Sequence, residues 1–339
     1  MSEPLVEVVR GSVIEAIHRG DLAIVDSSGA LLASVGDPRT KFTYWRSAAK
    51  PFQALPLITS GAAERWGLSS QDLALVAGSH NGEPVHQQQA SGLLRKIGAD
   101  LADLVCGAHP PLEPQAAADL LRQGEDPTAL HNNCSGKHLG MLALATHLSA
   151  DRGDYQLPHH RVQTAISETI SVFSGVQEDA VAIGIDGCGV PTFGTSIYHL
   201  ALAFARLLDP SSLSGRLPGA AEGIRSAMTA NPYLVAGRGR LDTDLMQTAG
   251  GGLVAKGGAS GVECVGLPGG VGLAVKIEDG ATGPPPAPGG VVTTAALLQF
   301  GFLDEAQAIS LSAHARPLLR NVAGQVVGKV RPVFDLVLQ

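Results

Sequence analysis

The sequence has few aromatic residues, few cysteines and no excess of basic side chains. Phe, Trp and Tyr make up 4% of its 339 residues, and cysteine occurs four times. Lys and Arg number 24 against 31 Asp and Glu, which gives a formal charge of −7. A mildly acidic chain argues against nucleic acid or an anionic membrane as the main partner.

The sequence also lacks a long apolar run. The most hydrophobic stretch, Leu200–Leu208, is interrupted by Arg206 and is well short of the roughly 20 residues that cross a bilayer. The N-terminal segment carries Glu3 and Glu7 and no apolar core of the kind a secretory signal has. We therefore expect a cytoplasmic protein without a membrane partner, whose cysteines do not form structural disulfides.

Apolar residues nevertheless make up 45% of the chain and charged residues 16%, so a sizeable core is expected and disorder is not. The length allows one large domain or two modest ones at roughly 100–200 residues each. No internal repeat or heptad run is present. The 42 glycines indicate many tight turns and close backbone approaches.

The hydrophobic pattern predicts an α+β protein. The first forty residues alternate as an antiparallel meander of two to four strands, with a turn at Arg19-Gly20-Asp21, and strand character returns after Gly250. We expect one antiparallel sheet from about residues 1–45 and 250–339, a mainly helical lobe over about 46–249, and a single catalytic domain over 1–339. The expected helices of the lobe are at about 70–77, 85–97, 115–123, 136–149, 160–174, 196–208 and 219–229.

Ser47-Ala48-Ala49-Lys50 forms an S-x-x-K motif. A serine hydroxyl is a poor nucleophile until a base removes its proton, and residues three apart on a helix share a face. Because Pro51 is tolerated only in the first turn of a helix, Ser47 is expected at the helix start, where N–H groups face a developing oxyanion. By itself the motif is also compatible with an N-cap serine and a solvated lysine.

Two further short motifs follow. Ser79-His80-Asn81 is an S-x-N after the apolar, strand-like run Leu75–Gly78, and Lys256-Gly257-Gly258 is a K-x-G in a glycine-flanked strand. Alone, the first is compatible with a polar turn and the second with a lysine whose ammonium reaches solvent. Together and in this order, the three motifs resemble the set of the penicillin-recognising serine hydrolases and favour a nucleophilic serine.

Two cysteines lie in glycine-rich polar turns: Cys134 in Asn132–His138 and Cys188 in Asp186–Pro191. Two thiolates and a nitrogen suit Zn²⁺ with a fourth position left open, and Lys137 is three residues after Cys134. Lysine binds metal only as the free amine. The spacing leaves three interpretations open, namely a metal site, a reactive thiol or a packed cysteine.

The sequence resembles the Rhizobium-type L-asparaginases, the asparaginase II proteins. The likeness runs over most of the chain, in the strings RGSVIEAIHRGDLAIVD, WRSAAKPFQALP, GSHNGE, LHNNCSGKH, GIDGCGVPTF and AKGGASGVECVG. The resemblance implies a fold like the serine β-lactamases and glutaminases, a homodimer, and a zinc ion that helps substrate binding and is not required for the nucleophile.

The resemblance also implies roles for individual residues. Ser47 with Lys50 matches the nucleophile and its base, and Ser79 with Lys256 matches a second Ser–Lys tandem. The implied zinc ligands are Cys134, Lys137 and Cys188. The residues expected to contact substrate lie beside these motifs and are Arg46, His80, Asn81, His138 and Asp186.

The expected reaction is hydrolysis of L-asparagine to L-aspartate and ammonia through an acyl-enzyme on serine. The alternatives are a related serine amidohydrolase, either a glutaminase or a β-lactam-active hydrolase, a non-catalytic zinc-binding protein of the same fold, and an amidohydrolase that uses zinc-bound hydroxide. Glutamine is one methylene longer than asparagine, a difference worth only ~1–3 kcal/mol in a pocket, so the sequence does not separate the two amides.

Overall fold

A computed structural model describes residues 2–339. The strands are β1 (Glu3–Arg10), β2 (Val13–Asp26), β3 (Leu31–Val35), β4 (Phe42–Tyr44), β5 (Ala182–Ile185), β6 (Pro191–Ser196), β7 (Val254–Ala255), β8 (Val262–Leu267), β9 (Val271–Ile277), β10 (Leu318–Arg320), β11 (Val326–Pro332) and β12 (Val337–Leu338).

The α-helices are α1 (Lys50–Thr59), α2 (Ala62–Arg65), α3 (Ser70–Val76), α4 (Pro84–Lys96), α5 (Pro114–Gln123), α6 (Ser135–His147), α7 (Arg161–Ser174), α8 (Ile197–Leu208), α9 (Leu217–Ala230), α10 (Pro232–Val235), α11 (Leu241–Thr248), α12 (Pro288–Gln299), α13 (Glu305–Ser310) and α14 (Ser312–Ala315). Short 3₁₀ helices cover Arg46–Ala49, Leu101–Asp103, Ala129–His131 and Glu178–Ala180.

The chain divides into two compact units. The first holds the residues up to Ala48, Thr195–Ser212 and Gly239–Gln339, and the second holds Ala49–Gly194 and Leu213–Arg238. The expectation of a single catalytic domain over 1–339 stays a prediction. Within the described residues, no helix is both long enough and apolar enough to cross a membrane.

The first unit contains a nine-stranded sheet in the order β10-β11-β1-β2-β9-β8-β7, with β3 beside β2 and β12 beside β3. Every strand pair of this sheet is antiparallel. Its strands come from the first 35 residues and from the chain after Val254. The predicted mixed α+β class with an antiparallel sheet is therefore confirmed.

The turn predicted at Gly20 is wrong, because β2 runs unbroken from Val13 to Asp26. Gly20 pairs with Glu3 of β1 on one side and Ile277 of β9 on the other. A Cβ on Gly20 would collide with the carbonyl oxygen of Lys276. The glycine thus permits a close approach of two strands, which the sequence pattern alone does not distinguish from a turn.

Helix α8 packs against β2, β8 and β9 in the same unit. Ten of its twelve residues are buried. It lies so close to the sheet that a Cβ on Gly272 would collide with the carbonyl oxygen of Ala201. The predicted helices at 115–123, 160–174 and 196–208 agree with α5, α7 and α8 to within one residue at each end.

The second unit is mainly helical, with the hairpin of β5 and β6. Helix α1 is its centre: residues Lys50 to Leu57 are all buried, and α1 contacts α3, α6, α7 and α9. The run Leu75–Gly78, which the sequence pattern indicates as strand-like, is instead the last turn of α3 and the residues after it. A short apolar run has no period that separates a buried strand from a buried helix.

Candidate active site

Ser47 lies in the 3₁₀ turn Arg46–Ala49, and the α-helix proper begins at Lys50. Ser47 was expected at the start of the α-helix, but it lies in the 3₁₀ turn that directly precedes this helix. Pro51, the second residue of α1, has no N–H and is tolerated only in a first helical turn. Ser47 is half-buried, so its hydroxyl retains access to a small molecule.

Beside this turn, two residues of the first unit adopt a left-handed backbone conformation and contact each other. Arg46 has φ of 50° and Ser260 has φ of 62°. Arg46 Nη1 donates a hydrogen bond of 3.2 Å to Ser260 Oγ. Positive φ in non-glycine residues costs free energy, and such residues cluster at functional sites. This pair therefore fixes the backbone that enters the Ser47 turn.

The K-x-G segment runs alongside the Ser47 turn in the first unit. A Cβ on Gly258 would lie 2.7 Å from the carbonyl oxygen of Trp45 and 3.3 Å from the amide nitrogen of Ala48. Only glycine permits this approach. Trp45 is anchored in turn by a 2.8 Å hydrogen bond from its Nε1 to Thr195 Oγ1.

Lys256 is fully buried and held by an acidic partner. Its Nζ donates to Asp242 Oδ2 at 3.1 Å and to the carbonyl oxygen of Gly257 at 2.6 Å. Burial raises the pKa of the Asp242 carboxyl, but Lys256 and Arg240 outweigh burial, and the pKa lies below its ordinary value. The sequence motifs did not indicate Asp242; its only signal is an acid on the buried face of α11, beside Leu245.

A second carboxyl lies against the same segment. A Cβ on Gly257 would lie 2.5 Å from Glu263 Oε2, and one on Gly289 would lie 3.1 Å from Glu263 Oε1. Burial, with the negative charge of Asp242, raises the pKa of Glu263 to about 8. Glu263 is therefore mainly protonated at neutral pH.

Glu263 should make the folded state less stable as the pH rises. Its pKa is about 8 when folded against an ordinary value of 4.5. The folded chain keeps the proton through this window while the unfolded chain releases it, so the free energy of unfolding falls between these two pH values. Glu263→Gln should show a smaller drop in melting temperature between pH 5 and pH 9.

The matched control is Glu178→Gln, which changes an exposed glutamate and should keep the wild-type slope. Melting would be followed by circular dichroism at several pH values. Equal slopes for the wild type and Glu263→Gln would contradict the raised pKa.

In the second unit, Lys50 contacts the residues that precede Ser79 and Cys134. Its Nζ is fully buried and donates to the carbonyl oxygen of Gly78 at 2.7 Å and to that of Asn133 at 3.0 Å. Gly78 directly precedes Ser79, and Asn133 directly precedes Cys134. Lys50 is thereby placed beside both the S-x-N segment and the cysteine cluster.

Ser79 is 2% exposed, and its Oγ is buried without a hydrogen-bond partner in the described part of the chain. Its backbone N–H donates to the carbonyl oxygen of Val235 at 2.6 Å. A Cβ on Gly78 would lie 2.6 Å from that same oxygen, so a glycine is needed before Ser79. A buried hydroxyl without a hydrogen-bond partner is costly, which marks this position as unusual.

The two residues after Ser79 are held internally. The N–H of Gly82 donates to His80 Nδ1, so the neutral ring carries its proton on Nε2 and donates to Ser135 Oγ at 2.8 Å. Burial, together with the charge of Lys50, lowers the pKa of His80 well below its ordinary value. Asn81 Nδ2 donates to the carbonyl oxygen of Arg238 at 3.1 Å. Both side chains thus brace the segment that carries Ser79.

Glu83, which the sequence motifs did not single out, completes this bracing. Its carboxylate accepts from Tyr233 Oη at 2.5 Å and from the N–H of Arg238 at 3.0 Å. Glu83 is buried. The string GSHNGE contains it, but nothing in the spacing indicates that its partners are 150 residues further along the chain.

The structure brings Cys134, Lys137 and Cys188 together. Lys137 Nζ donates to Cys188 Sγ at 3.0 Å, and the Cys188 thiol and Cys134 are hydrogen-bonded. That bond lowers the pKa of Cys134 well below its usual range, against the effect of burial. Burial acts to lower the pKa of Lys137, but Cys134, Cys188 and Asp186 outweigh it and raise the value.

These three side chains are a chemically suitable donor set for zinc, because two sulfurs and one nitrogen leave a fourth position open. Across residues 2–339, no group of three His, Cys, Asp or Glu side chains could hold a metal ion. The predicted zinc ligands are two cysteines and a lysine, so they are not a group of this kind. The zinc assignment stays a prediction.

His138 and Asp186 lie beside this cluster in sequence. His138 Nδ1 is bonded to Tyr155 Oη at 2.7 Å, and its buried Nε2 has no hydrogen-bond partner among the described residues. Burial, with the charges of Lys137 and Lys50, lowers the pKa of His138 well below its ordinary value. Asp186 opens the β5–β6 turn, where its Oδ1 accepts from the N–H of Gly187 at 2.8 Å.

The family model described as L-asparaginase II matches residues 6–332. No curated protein matches the chain. Among solved structures, the chain is similar to Mglu in its glutamate form, at 17% identity and a TM-score of 0.45, over 84% of this chain and 60% of that one. Native Mglu gives 17% identity and a TM-score of 0.45, over 84% of this chain and 64% of that one. The chain thus spans about three fifths of the length of these structures.

Proposed function

Because the chain belongs to the L-asparaginase II family, we propose that it hydrolyses the side-chain amide of L-asparagine to L-aspartate and ammonia. The observation that carries this proposal is the match over residues 6–332, which includes every predicted site residue. Membership of this family supports an amidohydrolase. A small carboxamide is then the substrate class, and asparagine is the member that we propose.

In the proposed first step, Ser47 Oγ attacks the amide carbon and Lys50 takes its proton. A lysine acts as a base only as the free amine. The oxyanion is proposed to lie at the 3₁₀ turn that begins at Arg46, where the N–H of Ala48 already donates to the carbonyl oxygen of Trp45 at 3.0 Å. The half-buried hydroxyl of Ser47 and the full burial of Lys50 support this division of roles.

In the proposed second step, the carbon–nitrogen bond breaks and the leaving nitrogen takes a proton from Ser79, which Lys256 resupplies. The unpartnered, buried Oγ of Ser79 supports a group that waits for a ligand atom. Water then attacks the ester carbon and releases aspartate. Ser47 recovers its proton from Lys50, and the proton that water loses restores Lys256. The sum is one amide and one water converted to one acid and one ammonia.

We also propose that Cys134, Lys137 and Cys188 hold Zn²⁺. Their sulfur and nitrogen donors already contact one another, which supports the assignment. When bound, the ion supplies a positive charge and an open position for the amino or carboxylate end of the substrate. Arg46 is a cation suited to the substrate carboxylate. The unpartnered Nε2 of His138 is proposed for the same purpose, as the tautomer in which Nδ1 accepts from Tyr155 Oη and Nε2 carries the proton.

The proposal also includes the detailed fold, the oligomeric state and the location of the protein. We propose the serine β-lactamase and glutaminase-like arrangement, a homodimer and a cytoplasmic location. The antiparallel sheet of the first unit, with helices α8 and α12 packed on its strands, supports the first of these.

Ammonia release from L-asparagine and L-glutamine, measured side by side on purified protein, tests the function. We expect asparagine to be preferred in kcat/KM by about tenfold or more, the range that one methylene can supply in a pocket. Glutamine preferred over asparagine would make the chain a glutaminase. No ammonia from either amide would overturn the proposed function.

A further inference from the structure

Lys256 belongs to a cluster of three ionisable groups in the first unit, two of which are buried. Asp242 and Lys256 are 3% and 0% exposed, and Glu263 is half-buried beside them. Asp242 comes from α11, Lys256 follows β7, and Glu263 is on β8. The S-x-x-K, S-x-N and K-x-G motifs include Lys256 but neither of the two acids.

We propose that Asp242 is a positioning residue: its ion pair with the Lys256 ammonium and its hydrogen bond from the N–H of Gly257 hold the K-x-G segment in one place. The proposal rests on the proposed function, because it concerns the lysine that resupplies the proton to Ser79. It goes beyond that function by assigning a role to an acidic residue that the three motifs do not include.

The contacts of Asp242 support a positioning role. One oxygen accepts from Lys256 Nζ at 3.1 Å, and the other accepts from the N–H of Gly257 at 2.8 Å. The N–H of Lys256 is bonded to the carbonyl oxygen of Cys264 at 2.9 Å. A single carboxylate therefore fixes both the side chain and the backbone of the K-x-G segment, and Lys256 has little freedom left.

Charge balance supports the ammonium state. A buried ammonium without a counter-ion is strongly disfavoured, whereas a hydrogen-bonded carboxylate partner favours it. Arg240, at the start of α11, is a further charge that acts on Asp242 and Glu263, and the three groups in turn act on the thiol of Cys264 on β8. Helix α12, which packs against β8, carries no ionisable side chain. A proton on Glu263 prevents a second negative charge from competing with Asp242 for the ammonium.

The pH dependence of activity tests this assignment. In Asp242→Asn, Lys256 loses its counter-ion and should release its proton at lower pH. We expect the basic limb of the kcat profile to move down by about one pH unit and kcat at pH 8 to fall roughly tenfold, with KM changed less than about threefold. A merely structural role would lower kcat without moving the limb, and an unmoved limb would overturn the proposal.

The matched control is Asp244→Asn on the same helix, since Asp244 pairs with His314 at 2.7 Å. It should keep the wild-type profile. Asp242→Glu keeps the negative charge and should leave the basic limb in place even where kcat falls. If Asp242→Asn does not fold by circular dichroism, a shifted limb in Asp242→Glu is the overturning result.

A readout that does not require turnover separates this inference from the proposed function. Competitive labelling with acetic anhydride at graded pH, read by peptide mass spectrometry, reports the uncharged fraction of Lys256. The labelling midpoint should lie about one pH unit lower in Asp242→Asn than in the wild type. If the wild type releases no ammonia but the labelling midpoint is lower in Asp242→Asn, the proposed function is refuted and the inference about Asp242 stands. Identical midpoints in the two proteins refute the inference.

Discussion

Ser47→Ala should reduce ammonia release from L-asparagine by about 10³-fold or more, because no other group is proposed to form the acyl-enzyme. The fold should survive, since Ser47 is half-buried in a short turn whose neighbours Trp45 and Ala48 carry the packing. Kinetics of asparagine hydrolysis and the melting temperature, measured on one preparation, check both parts.

Two further serine variants sharpen that result. Ser310→Ala changes an exposed serine at the end of α13 and should be kinetically silent. Ser79→Ala should lower kcat while an active-serine acylating reagent still adds mass at Ser47. Near-wild-type turnover in Ser47→Ala would contradict the nucleophile assignment, and adduct formation at Ser79 in that variant would exchange the roles of the two serines.

The double variant Cys134→Ala and Cys188→Ala should reduce bound zinc from about one ion per chain to background. Removing both sulfurs leaves Lys137 alone, and a single amine does not hold zinc in competition with water. Elemental analysis after dialysis against zinc-free buffer measures the stoichiometry. Undiminished zinc in the double variant would show that the ion binds elsewhere.

Cys106→Ala is the matched control for the zinc experiment. Cys106 is another buried thiol of the second unit, but its Sγ donates to the carbonyl oxygen of Ala129 at 3.6 Å. This variant should retain its zinc.

Chelation of the wild type distinguishes two mechanisms. The serine route predicts a partial loss of activity through weaker substrate binding, whereas a zinc-bound hydroxide nucleophile predicts a complete loss.

The sequence predicts local structure well wherever a periodic pattern coincides with a terminator. Helix α5 begins at Pro114 and ends before Gly124, and α7 ends before Gly175; both glycines adopt positive φ. These signals act within a few residues and need no knowledge of the fold. Glycine is less informative inside a strand, which is why the pattern around Gly20 predicts a turn where the structure has a continuous strand.

The candidates for the chemistry can be identified from the amino-acid sequence, because S-x-x-K, S-x-N and K-x-G are spacings along one chain. The partners of these residues follow from the fold. Lys256 meets Asp242, 14 residues away, and Lys50 meets the carbonyl of Asn133, 83 residues away. The state of a buried charge depends on what closes around it in three dimensions, and no local pattern carries that information.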